Sequence, residues 1–135
     1  MILVIGEAVG IGPAIAAADR LRSSSSPSIP LVLLGSAEPF PFRPRPSAIV
    51  VAGVPPDCIA CMPLLEEWDI ASRLASPAGL PGCFEGTVVE LADLWLASLG
   101  PSELASVEIL ASGPASMLEA VAALAARYAV PLSRN

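Results

Sequence analysis

Short segments typical of buried strands alternate with segments of helical periodicity along the chain. The strand-like segments lie at 1–5, 31–35, 48–52, 72–75 and 107–111, and a last one begins at 131–132. Between them, apolar residues recur at spacings of three and four, which predicts helices over 13–22, 63–68, 88–99 and 117–128. This alternation predicts an α/β fold: a three-layer sandwich in which a parallel sheet of about five or six strands, joined by right-handed crossovers, carries helices on both faces.

Local signals set several boundaries of these elements. Thr87 and Glu90 form a capping-box pattern, which predicts the start of the third helix. The run Ser23–Pro27 ends the first helix. Four prolines between Ala37 and Pro46 predict an irregular loop, in which Phe40 and Phe42 either pack on the sheet or form an exposed docking patch.

Composition and charge narrow the class of protein. The 135 residues are 54% apolar and 15% charged, as expected for one domain with a single core. The net charge of −6 argues against a nucleic-acid partner. No run reaches the ~18 apolar residues of a membrane helix, and no basic segment marks a secretory signal. We therefore expect a cytoplasmic protein with reduced cysteines and no membrane partner.

Candidate chemistry begins where the first strand ends. A turn with the spacing G-x-x-x-G-x-G-P, from Gly6 to Pro13, joins that strand to a helix. Such a turn brings backbone N–H groups and a positive helix end close to a bound phosphate. A tight turn also needs glycine when it binds nothing. Three loops, at Gly6–Pro13, Ser76–Gly86 and Ser112–Pro114, leave the carboxyl ends of predicted strands, where α/β sheets bind ligands.

The first turn together with the later segment Ser112-Gly113-Pro114-Ala115-Ser116-Met117 resembles a known family. The two turns are similar to those of the nicotinamide-nucleotide-binding domain in the ferredoxin–NADP reductase superfamily, and most similar to those of the dihydroorotate dehydrogenase electron-transfer subunit. That family's pattern is G-G-G-x-G-x-x-P after the first strand and C-G-P-x-x-M after a late one. The resemblance implies a ferredoxin reductase-like nucleotide-binding fold over nearly the whole chain.

The resemblance also implies roles for individual residues. The first turn would hold the pyrophosphate, the late turn would approach the nicotinamide, and the loop after the fourth strand would contact the adenosine ribose. The implied cofactor-binding residues are Gly6, Gly10, Ile11, Gly12, Pro13, Ser76, Ser112, Gly113, Pro114 and Met117. No arginine directly follows Ser76 to bind a 2′-phosphate, so NAD is favoured over NADP. No metal ligand and no catalytic side chain is implied.

Three residues depart from the family's pattern. Glu7 and Ala8 replace two glycines of the first turn, and Ser112 stands where the family has cysteine. A carboxylate beside a pyrophosphate is repulsive unless it points away. Two functions therefore stay open: an NAD(P)H-binding module, or a degenerate nucleotide-binding fold that serves as a protein-docking or scaffolding domain.

The resemblance further implies a larger flavoprotein. In the family, an upstream barrel binds FAD and a downstream cysteine cluster holds a 2Fe–2S centre. We expect residues 1–135 to be a single domain excised from such a parent, with the flavin-binding domain and a catalytic dehydrogenase subunit as partners. Such a domain would be part of an NAD(P)H–flavin oxidoreductase and would be inactive alone.

The cysteines offer one other chemistry. Cys58 and Cys61 have C-x-x-C spacing, which at a helix start would favour a reactive dithiol. The alternative is that both are small buried hydrophobic residues. The chain contains no histidine, which excludes a Ser-His-Asp triad and weakens the case for a metal site.

Overall fold

A computed structural model describes residues 1–25 and 29–134. Its main sheet has six strands, all parallel, in the order β6-β5-β2-β1-β7-β8. These strands are β1 (Ile2–Glu7), β2 (Leu31–Gly35), β5 (Ser72–Ser76), β6 (Phe84–Glu85), β7 (Glu108–Ser112) and β8 (Leu132–Arg134). The predicted α/β architecture is confirmed.

Helices cover both faces of this sheet, because the buried strands are apolar on both sides. The helices are α1 (Ile11–Arg22), α2 (Pro63–Glu67), α3 (Val88–Ala97), α4 (Pro101–Leu104) and α5 (Ala115–Tyr128). A short 3-10 turn at Ala8–Gly10 joins β1 to α1. Of the predicted run that ends α1, Ser26 and Pro27 lie outside the described residues.

The core consists of two apolar clusters separated by the sheet. In β1, Leu3 and Ile5 pack with α3 and α5, whereas Ile2 and Val4 pack with α1 and α2. This alternation follows from the two-residue repeat of a strand. The three layers that the sequence predicts are therefore present, with β1 at their centre.

The strand predicted at 48–52 is wrong. The structure has no regular element there; instead, Arg45–Pro46 (β3) and Ala60–Cys61 (β4) form a small antiparallel ladder on either side of this segment. Side chains bind the backbone of 48–52 in place of a strand partner: the Glu66 carboxylate accepts the Ala48 N–H, and the Arg73 guanidinium donates to the Ile49 carbonyl. Val50 remains 91% exposed.

The loop from Ala37 to Pro46 packs on its own domain. Phe40 is only 9% exposed and belongs to the core cluster beneath α1. Phe42 lies against it, with 5.2 Å between the ring centroids. Of the two alternatives for these rings, the exposed docking patch is wrong and the packed loop is confirmed.

The sequence signals at α3 are confirmed. Thr87 Oγ1 accepts the Glu90 N–H at 3.1 Å, and the Glu90 carboxylate accepts the Thr87 N–H at 2.9 Å, which completes the capping box. The helix ends at Ala97, and Pro101 begins α4.

One polar cluster joins α3 to α5. The Tyr128 hydroxyl donates to Asp93 at 2.5 Å, and Arg127 forms an ion pair with the same carboxylate at 2.7 Å. The Tyr128 hydrogen bond lowers the pKa of Asp93 below its ordinary value of 3.8, and the same bond raises the pKa of Tyr128 above 10.0. Both shifts favour the pairing of a neutral phenol with a carboxylate.

We expect Tyr128→Phe to lower the free energy of unfolding by about 1 kcal/mol at pH 7, a modest value because the cluster is partly exposed. A lowered Asp93 pKa stabilises the fold above pH 3.8, and this stabilisation is lost as the pH falls through the lowered pKa. A raised Tyr128 pKa stabilises the fold below pH 10.0, and this stabilisation is lost as the pH rises through the raised pKa. Urea unfolding should therefore show a difference between the two proteins that is constant near neutrality and shrinks at both extremes. Equal stabilities at pH 7 would contradict this.

None of the helices within residues 1–25 and 29–134 combines the length and the apolar run that crossing a bilayer requires.

Candidate functional site

The candidate site lies where the order of strands reverses. From β1 the chain builds the sheet outward through β2, β5 and β6, and then returns to the other side of β1 with β7. The carboxyl ends of β1 and β7 are therefore adjacent, with Gly6 paired to Ser112. This switch point is the usual position of a ligand crevice in an open α/β sheet.

The first turn leaves β1 through a residue with unusual backbone geometry. Ala8 has φ of 53°, the left-handed region that favours glycine. Ala8 therefore adopts a backbone conformation that glycine would adopt more easily. Ala8 and Val9 are exposed, and Val9 is 81% exposed. The turn therefore presents its tip to solvent.

Two glycines of this turn have opposite surroundings. A Cβ on Gly10 would lie 2.0 Å from the carbonyl oxygen of Ser112, so Gly10 is the contact through which the first turn packs on the late turn. A Cβ on Gly12 would meet no heavy atom within 4 Å. Gly12 thus leaves open space at the start of α1, where a phosphate could approach the backbone closely.

The late turn is fixed mainly by packing. Ser112 is 4% exposed, and Met117 is also 4% exposed within the core cluster that contains α5. The Met117 sulfur lies 3.1 Å from where a Cβ of Gly113 would be, so the Met117 side chain packs against the backbone of the turn. Gly113 and Pro114 are half-buried and form the part of the turn that reaches the surface.

Two helices begin at this switch point without side-chain caps. Gly10 precedes α1 and Pro114 precedes α5, and neither provides a side-chain acceptor. The first turn of each helix also lacks an acidic residue. By contrast, the start of α3 is neutralised by the Glu90 carboxylate. The positive ends of α1 and α5 are therefore not neutralised by an acidic residue in the first turn of either helix. At α1 the Ile11 N–H donates to the Ala8 carbonyl of the preceding 3-10 turn.

Two charged side chains border the same edge of the sheet. Glu7 is the last residue of β1 and is half-buried, and burial raises the pKa of its carboxyl. Arg134 is the last residue of β8, and it pairs with Ala111 of β7, directly before the late turn. Sequence reasoning missed Arg134, since only the strand register places it beside this turn.

The structure does not bring Ser76 to these turns. Ser76 ends β5, which is separated from β1 by β2, and it is fully buried. Its carbonyl accepts the N–H groups of Gly79 and Gly86, and its hydroxyl accepts the N–H of Ala78 at 3.2 Å. Ser76 therefore organises its own loop.

The two cysteines of the C-x-x-C pattern are not arranged as a reactive dithiol. Cys58 packs in the core cluster of α3 and α5, whereas Cys61 is buried in β4. Burial raises the pKa of both thiols, and Glu66 raises that of Cys61 further. Because neither residue lies within a helix and both thiols favour their protonated forms, the prediction of an activated thiolate is wrong. Within the described residues, no group of three or more His, Cys, Asp or Glu side chains is placed to bind a metal ion.

Comparison of the chain with protein-family models finds no match, and comparison with curated proteins finds no significant similarity.

Proposed function

We propose that the chain is an NAD(P)H-binding module of a cytoplasmic flavin-dependent electron-transfer protein. The observation that supports this function best is the pairing of two turns at the switch point, each followed by an uncapped helix start. In this proposal the backbone N–H groups of Gly10 and Gly12 and the positive end of α1 hold the pyrophosphate. Ile11 anchors the turn between them, since its own N–H donates to the Ala8 carbonyl. Gly113 and Pro114 orient the nicotinamide ring.

The chemistry of the proposed reaction belongs to the cofactors. Gly10, Gly12, Gly113 and Pro114 would hold NADH, which would supply a hydride for an FAD in the flavin-binding domain of the parent protein, and a 2Fe–2S centre of that parent would take up the electrons. The described residues of this chain provide binding and orientation. NAD is favoured over NADP because Ser76 is buried and Pro77, Ala78 and Gly79, which follow it, offer no cation for a 2′-phosphate.

Calorimetric titration of the whole chain with NADH tests this function. We expect saturable binding of one NADH per chain at low ionic strength, where the attraction of a pyrophosphate to helix ends is least screened. An absence of saturable binding at millimolar NADH would overturn the proposal.

We expect Arg134→Gln to weaken NADH binding about threefold to fivefold, since an exposed cation contributes up to about 1 kcal/mol. Arg20→Gln is the matched control: it removes the same charge from an exposed position in the last turn of α1, at the opposite end of that helix. Calorimetry should show unchanged binding for Arg20→Gln. Equal loss of affinity in both variants would indicate a general effect of net charge and would contradict a role for Arg134.

A second function, protein docking, is favoured by an apolar surface at the amino edge of the sheet. A cavity of about 460 Å³ lies there, and three apolar side chains around it are exposed: Met1 by 48%, Ile29 by 66% and Val50 by 91%. Exposed apolar patches of this kind often mark interaction sites. In this alternative the nucleotide-binding fold is degenerate, and NADH titration distinguishes the two functions.

A further inference from the structure

Arg73 is a buried cation that the proposed nucleotide site does not use. It lies in β5 and is 5% exposed. Its Nη1 donates to the Ser72 carbonyl at 2.7 Å, and its Nη2 donates to the Ile49 carbonyl. Its Nε is buried and has no hydrogen-bond partner among the described residues. The guanidinium, which has five N–H donors, is thus removed from water and incompletely satisfied.

Within the described residues, no carboxylate balances this charge at contact distance. No ion pair of Arg73 is found within 4.0 Å. Glu66 is the acidic residue whose charge interacts with Arg73, and it does so from beyond 4.0 Å. Glu66 accepts the Ser47 hydroxyl at 2.8 Å and the Ala48 N–H at 2.7 Å, and these two bonds hold its carboxylate on the segment opposite Arg73. A buried cation without a contact ion pair is only partly compensated, and a bound anion would complete the compensation.

A cavity of about 250 Å³ adjoins Arg73. Its wall combines polar and apolar surface, and Val51, Val54 and Pro55 form part of the apolar side. This volume is about eight times the ~30 Å³ that one water molecule occupies in the liquid. The cavity therefore suits a molecule with a short aliphatic body and one anionic end.

We propose that this cavity binds a small aliphatic carboxylate whose negative charge pairs with Arg73. A carboxylate matches the planar fork of a guanidinium. An inorganic anion would leave the apolar side of the wall unfilled. The cavity is formed by residues 47–59 and by β5, and it shares no residue with the two turns of the nucleotide site.

NMR titration of the ¹⁵N-labelled chain with butyrate tests this site. We expect saturable shifts in residues 47–59 and 73, and at least tenfold weaker binding of butyramide, which has the same shape without the charge. Sulfate, which lacks the aliphatic body, should also bind at least tenfold more weakly. Equal affinities of butyrate and either comparison compound would overturn the proposal, as would shifts confined to other parts of the chain.

Two substitutions test the role of charge in the cavity. Arg73→Met keeps the length of the side chain and should abolish butyrate binding. Val50→Asp places a carboxylate at an exposed position of the cavity wall, where folding tolerates it, and should weaken butyrate at least tenfold. Val50→Asn is the matched neutral control and should bind butyrate normally. Retained binding in Val50→Asp, or equal loss in Val50→Asn, would overturn the assignment whether or not Arg73→Met folds.

Discussion

Gly10→Ala is expected to destabilise the protein by about 3 kcal/mol or more, a large share of the 5–15 kcal/mol that stabilises a typical domain. The added Cβ would lie 2.0 Å from the Ser112 oxygen, 2.2 Å from the Ser112 carbonyl carbon and 2.6 Å from the Gly113 nitrogen. All three are backbone atoms of the late turn, so no side-chain rotation relieves the overlap. Separation of the two turns would break the contact between β1 and β7 at their carboxyl ends.

The clash itself is the expected cause, because Gly10 has φ of −82° and ψ of −6°, which alanine adopts readily. Gly12→Ala is the matched control. Its Cβ meets no heavy atom within 4 Å, and alanine has a higher helix propensity than glycine, so we expect unchanged or slightly increased stability. Chemical denaturation of both variants measures the difference. Similar stabilities would show that the two turns are less closely packed than the structure indicates.

The sequence predicted the sheet well because its strands are short apolar runs bounded by turn residues. Leu31–Gly35 is predicted and observed with the same bounds. The strand predicted at 48–52 has a similar composition, yet its backbone bonds to Glu66 and Arg73, which lie 18 and 24 residues away along the chain. Periodicity describes only local preference, and it cannot reveal long-range partners that satisfy the backbone in another way.

The candidate site was predicted in part. Three loops were expected at the carboxyl ends of strands. The pairing of Gly6 with Ser112 brings two of them together, whereas the loop that begins at Ser76 follows β5, which β2 separates from β1. The position of Arg134 depends on strand register, and the lack of a contact ion pair at Arg73 depends on where Glu66 lies in the fold. Neither feature has a local sequence signal, since both arise from elements that meet only in the folded sheet.

The first turn contains a residue in the left-handed region that is not glycine. Ala8 in this region costs about 1 kcal/mol relative to glycine, and the packing of Gly10 on Ser112 helps to hold the turn in place. The departure at position 8 therefore affects stability. The departure at position 7 places the negative charge of Glu7 at the end of β1, so we expect it to affect NADH binding.

Glu7→Gln is expected to increase NADH affinity about thirtyfold at pH 7. The substitution keeps the size of the side chain and removes a carboxylate at the end of β1, beside the proposed pyrophosphate position. A full charge several ångströms from a phosphate, at an effective dielectric constant of about 20, contributes roughly 2 kcal/mol of repulsion. Calorimetric titration with NADH measures the change directly.

The pH dependence of binding provides an independent check. Burial raises the Glu7 pKa above its ordinary value of 4.5, so this side chain gains a proton as the pH falls from 7 toward that raised pKa. A bound pyrophosphate raises the pKa further, because the neutral carboxyl is no longer repelled. The wild-type chain should therefore bind NADH more tightly, with proton uptake, as the pH falls, whereas Glu7→Gln should show a smaller dependence.

The raised pKa of Glu7 also predicts that Glu7→Gln folds normally, so a change in its NADH affinity would not be caused by loss of folding. A carboxyl with a raised pKa in the folded state stabilises the fold below its unfolded pKa, and this stabilisation is lost as the pH rises through the raised value. At pH 7 the ionised Glu7 therefore lowers the free energy of unfolding, and the variant with a neutral glutamine should be at least as stable as the wild type. Unchanged affinity together with an unchanged pH profile would mean that the carboxylate points away from the nucleotide. A thirtyfold gain that disappears at low pH would identify Glu7 as the residue that limits NADH binding.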